Sequence, residues 1–88
     1  MESFIIAEHY VPKLELESVA KAVLRAQDIR ESFWTDSNQK YSKENIEAVK
    51  MAVKEFEVND IWIDIINGWI THMWNDVGYW ANSILEKP

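Results

Sequence analysis

The chain has no cysteine, and only two glycines, two prolines and two histidines among its 88 residues. Each scarcity removes a class of chemistry. Without cysteine there is no disulfide framework, no thiolate metal ligand and no thiol nucleophile, and the usage fits a reducing compartment. Two glycines cannot build a phosphate-cradling loop, no serine stands in a Gly-x-Ser-x-Gly turn, and no His-Glu-x-x-His run occurs. Catalysis is therefore not expected. A metal site needs three or four converging ligands; with only His9 and His72 to start from, neither a metal nor any other cofactor is expected.

Long apolar runs are also missing. The longest are cut by Asp64 and Asn67, far short of the roughly 20 residues of a membrane span, so no membrane partner is expected. The opening Met1–Ile6 lacks a basic leader and Glu8 ends its apolar run, which argues against a secretory signal and for a cytoplasmic location. A chain of this length reads as one domain, 1-88, with residues 1-11 as an N-terminal arm before Pro12. It buries only about 60–65% of its unfolded surface. Packing must then suffice alone, or assembly into a homo-oligomer must complete the core.

Positive charge is scarce in one region. Net charge is −6. Residues 1–54 hold 9 acids and 8 bases, whereas residues 55–88 hold 6 acids (Glu55, Glu57, Asp60, Asp64, Asp76, Glu86) against Lys87 alone. Such a surface repels phosphate backbones, which disfavours direct nucleic-acid binding, and attracts basic surfaces on other proteins.

What the chain does have is helical periodicity. The expected fold is all-α, with three helices at about 13-33, 43-57 and 60-85 in a small bundle or helical hairpin. In the first, Val19, Ala22, Val23, Ala26, Ile29 and Phe33 recur at helical spacing, opposite Glu17, Lys21, Arg25 and Asp28. A polar loop spans 35–40. Ser42 is placed to cap the second helix, with Tyr41 and Ile46 as its hydrophobic staple and Ile46, Val49, Val53 and Phe56 as its inner stripe. Asn59 is placed to cap the third, with Gly68 and Gly78 as kink points. The alternative is α+β: Asn67-Gly68 is a hairpin signal between 61-66 and 69-74, to which residues 3–10 would add a strand.

Four of the five tryptophans fall in residues 60–85. At about 100° per residue, Trp62, Trp69 and Trp80 lie within roughly 20° of one line, with Met73 beside them. Trp74 and the neighbouring aliphatics widen the apolar arc to about 180°, where packing on one core needs roughly 100°. That excess points to a partner-binding face of Trp62, Trp69, Met73, Trp74 and Trp80, because tryptophan is enriched among interface hot spots. His72 and Asp76, one turn apart, form a polar spot at its edge, with the Trp80 indole N–H as a further donor for the Asp76 carboxylate. The expected function is a non-enzymatic, acidic protein-interaction module. Proteins of this type serve as inhibitors, adaptors or small subunits, including virus-encoded antagonists of host machinery. Two alternatives stand beside it. One is a nucleic-acid mimic that inhibits a DNA- or RNA-binding protein. The other is a small-ligand or nucleotide binder, using indole stacking with cations from Lys21, Arg25, Arg30, Lys50 and Lys54.

Overall fold

The computed structural model describes residues 3–6, 8–32 and 44–86. The elements run β1 (Ser3–Ile6), β2 (His9–Pro12), α1 (Lys13–Ser32), α2 (Glu44–Glu55), α3 (Trp62–His72) and α4 (Trp74–Glu86). The protein is mainly helical, as the periodicity predicts. Two expectations are corrected: the N-terminal arm contains a β-hairpin, and the segment read as one helix over 60-85 is two helices. The 61-66/69-74 hairpin does not form, since α3 runs through it.

β1 and β2 pair antiparallel with Ile5 opposite Tyr10 and Ile6 opposite His9. Side chains alternate across a strand. Ile6 and Val11 turn inward and are buried, whereas Ile5 and Tyr10 share the outer face and are exposed. The connection between Ile6 and His9 places Glu8 at φ 69°, the left-handed backbone that two-residue hairpin turns demand. A non-glycine residue there costs about 1–2 kcal/mol, which the burial of Ile6 and Val11 offsets.

α1 is the element against which the others assemble, packing on α2 and α4 most extensively. Its predicted apolar stripe is buried at Val19, Ala22, Val23, Ala26 and Ile29, and meets Val49 and Val53 of α2, Ile66 and Ile70 of α3, and Val77 and Ala81 of α4 within the core. Lys21 and Glu17 pair on the outer face at 3.2 Å. Arg30, read from sequence as a surface cation, is instead 0% exposed. Its Nε donates to Asn45 Oδ1, and Asn45 Nδ2 donates to Thr71 Oγ1 at 3.2 Å, so one polar chain crosses α1, α2 and α3. Phe33, the 35–40 loop, and the Tyr41 and Ser42 positions of the predicted cap lie outside the described residues.

α2 ends in a Schellman motif. Val58 N–H donates to Val53 O at 2.9 Å, Glu57 N–H donates to Lys54 O at 3.3 Å, and Glu57 takes φ 57°. The N-cap of α3 is Ile61, without a side-chain cap, and Asn59 instead closes the turn that leads into it, its Oδ1 accepting from Ile61 N–H at 3.0 Å.

The break between α3 and α4 falls at Met73 (φ −145°, ψ 51°), not at either glycine. No proline is involved. Breaking at Met73 turns α4 onto α1. Backbone hydrogen bonds flank the break, with Met73 N–H donating to Trp69 O at 2.8 Å and Val77 N–H donating to Met73 O at 2.9 Å. Gln27 of α1 donates to Trp74 O at 2.8 Å and fixes the start of α4.

Candidate interaction surface

The tryptophan line exists, but much of it is core. Trp62 and Trp69 are 4% and 2% exposed, so the expectation of an uncovered face is corrected at these two positions. Trp62 Nε1 donates to Glu15 Oε1 in the first turn of α1 at 3.0 Å. The ring centroids of Trp62 and Trp69 are 5.9 Å apart, and those of Trp69 and Trp80 are 5.8 Å apart with 61° between planes. That edge-to-face arrangement sets the electropositive rim of one indole against the π face of the other. The Nε1 atoms of Trp69 and Trp80 are buried without a conventional hydrogen-bond partner. Met73, Trp74 and Trp80 are half-buried against the core. They are the members of the predicted contact set that still reach the surface.

Asp76 lies in the first turn of α4 and is exposed. It is not a buried carboxylate in need of donors, and Trp80 Nε1 does not serve it. Water solvates it, and the positive end of the helix dipole favours it. His72 and Asp76 do share a cavity of about 280 Å³ with Thr71, Met73, Trp74 and Asn75, formed where the chain turns from α3 into α4.

A larger cleft of about 420 Å³ opens beside it, between β2 and α3. Ile65, Gly68, Trp69 and Met73 line it together with His9, Asp64 and His72. Since Trp69 is buried and His9, Asp64 and His72 are exposed, the former is floor and the latter are rim. Both histidines of the chain therefore border one cleft. His9 reaches it from the start of β2, in a hairpin that packs on α1, with the imidazole edge-on to Trp69 of α3 at 6.4 Å. His72 and Met73 border both cavities, so the two adjoin as a groove at the α3–α4 turn. Gly68 keeps the cleft open: a Cβ added there meets nothing within 4 Å.

The cleft was not legible in the sequence because its walls come from opposite ends of the chain. The one available signal was that His72, Asp64 and Gly68 recur at helical spacing. Among the described residues, no group of three or more His, Cys, Asp or Glu converges to hold a metal ion, and no helix is long and apolar enough to cross a membrane. The cations proposed to serve a nucleotide do not gather at the indoles. Arg30 is enclosed, Lys21 is paired, and Arg25 is held by Asp28 at 2.9 Å and Glu55 at 3.1 Å. Its hydrogen bond to Glu55 raises the Arg25 pKa further; both partners are well exposed, so the bridge adds little stability. Residues 55–86, which supply most of the groove, carry six carboxylates and no lysine or arginine. No protein-family model, no curated protein and no solved structure matches the chain.

Proposed function

We propose that this protein is a non-enzymatic interaction module that binds a basic protein partner along the groove at the α3–α4 turn. The observation that carries this reading is the groove itself: an apolar floor between β2 and α3, half-buried Met73 and Trp74 along it, and acids at its rim without neighbouring cations in the same segment. Interfaces combine such an anchor region with a polar rim. Tryptophan and the carboxylate field then have separate tasks, the one supplying contact area and the other steering encounter. Two copies of this acidic face repel each other, which sets a basic partner ahead of self-association through the groove.

Site-directed photocrosslinking in the native host tests the proposal. A benzophenone side chain replacing Trp74 or Tyr79 should yield discrete protein adducts, and the same group at Met51 on α2 should yield none. Adducts of equal yield from all three positions, or none from position 74 or 79 in folded variants, would reject it. Light scattering on the purified chain completes the test, because a self-complementary groove would give a dimer instead.

A further inference from the structure

We infer that the cleft between β2 and α3 is a receptor for an arginine side chain, presented by a basic segment of the partner. This rests on the interaction-module reading above and specifies the chemistry of its contact. Three features of the cleft match the three parts of an arginine. The apolar floor at Ile65, Gly68 and Met73 suits the methylene stem, which long cationic side chains lay along apolar surface. Asp64 at the rim offers a carboxylate, and a carboxylate takes the guanidinium fork through two parallel hydrogen bonds. The rings of His9 and His72 border the cleft above the buried Trp69, and guanidinium planes stack on such rings where an ammonium cannot.

The surroundings agree. The volume of about 420 Å³ lies within the range of small-ligand pockets, and the mouth is wide enough for a side chain entering from outside. The field at the mouth is negative, because Asp60 precedes Asp64 on the approach to α3, Asp76 lies beyond His72, and residues 55–86 contain no lysine or arginine. Beyond Met73 the groove continues into the cavity bordered by Asp76, which leaves room for the residue flanking the arginine. A nucleic acid would bring phosphates against these carboxylates, and a second copy would bring the same acids.

The test is a titration of the isotopically labelled full chain, followed by two-dimensional NMR, with an arginine–alanine octapeptide blocked at both ends. Lysine–alanine and glutamate–alanine octapeptides run beside it. The signals of Ile65, Gly68, Trp69 and His72 should shift together and saturate with the arginine peptide, the lysine peptide should bind about tenfold more weakly, and the glutamate peptide should leave them in place. Gly68→Leu fills the cleft and should weaken binding by about tenfold or more at a melting temperature no lower than that of the unaltered chain. Asp64→Asn, which keeps the shape and removes the charge, should weaken it severalfold and covers the case in which the first variant is unstable. Equal affinity for lysine and arginine, shifts scattered over all the carboxylates, or no saturable shift would each overturn the inference. Crosslinked adducts from position 74 or 79 alongside such a result would sink the arginine receptor alone; the absence of both would sink the module reading with it.

Discussion

α3 and α4 are consecutive helices of 11 and 13 residues, each carrying two tryptophans, and they use them differently. α3 packs chiefly on α2, with smaller contacts to α4 and α1 and with His9 of the hairpin edge-on to Trp69; Trp62 and Trp69 are enclosed there, and two polar ties hold the helix, Trp62 to Glu15 and Thr71 to Asn45. α4 packs chiefly on α1, with a smaller contact to α3. Its inner side is sealed by Val77 and Ala81, whereas Trp74 and Trp80 are half-covered and Tyr79 is 75% exposed. One and the same residue type is structural where neighbours close on it from several sides, and available to other molecules where they close from one. The number of packed neighbours, not the tryptophan itself, sets that difference.

The comparison breaks first, if it breaks, at Trp69 and Trp80. Removing a fully buried aromatic costs about 3–5 kcal/mol, a large share of the roughly 5–15 kcal/mol that holds a small domain together. Trp69→Ala should therefore bring the protein to the edge of unfolding at room temperature. Trp80→Ala surrenders about 1–2 kcal/mol, because the half-buried ring has less area to lose. Urea denaturation followed by circular dichroism checks both. Equal losses at the two positions would mean that α4 is as enclosed as α3.

A smaller effect is expected at Gln27, the polar tie found between α1 and the start of α4. Gln27→Ala removes the second donor to the Trp74 carbonyl, which keeps its bond within α4, and should cost about 1 kcal/mol. Its local signature matters more than its size. Amide exchange should accelerate across residues 74–86 and much less across 62–72, because a helix anchored on one side opens locally before the whole core does. Uniform acceleration would show that α3 and α4 open as one unit.

These contrasts explain what could be read in advance. The apolar stripes of α1 and α2 were legible because each helix faces one core, so spacing alone identifies Val19, Val23, Val49 and Val53. Asn59 was legible as a boundary residue because a turn is local, although the turn it closes lies just ahead of the helix it was expected to cap. The Met73 break was not, since no proline or glycine marks it and its cause is the docking of α4 onto α1. The apolar arc of about 180° over 60-85 was therefore misread as the excess of one helix. It is the sum of two helices facing different neighbours. The surface part of the proposed site survived only at Met73, Trp74 and Trp80, and the groove beside them needed His9, which no pattern in residues 60–85 contains. Arg30 escaped for a related reason, as its acceptor Asn45 lies on another helix.

The finest discrimination is between the two glycines, one in each helix. Glycine inside a helix is about 1 kcal/mol less favourable than alanine, so both substitutions start with the same gain. At Gly68 nothing lies within 4 Å of the new Cβ, and Gly68→Ala should deliver most of that gain as added stability. At Gly78 the new Cβ would stand 3.1 Å from Gln27 Oε1, tighter than ordinary van der Waals contact. The amide must then give way, and it is the amide whose Nε2 donates to Trp74 O at 2.8 Å. A net hydrogen bond is worth about 1 kcal/mol, so Gly78→Ala should come out near zero or slightly destabilising. The two effects separate in a double-mutant cycle. In a Gln27→Ala background the obstacle is gone, and Gly78→Ala should recover a stabilisation like that at Gly68. If it gains as much with Gln27 in place, the glycine is not what lets α4 approach α1, and the close contact has another cause.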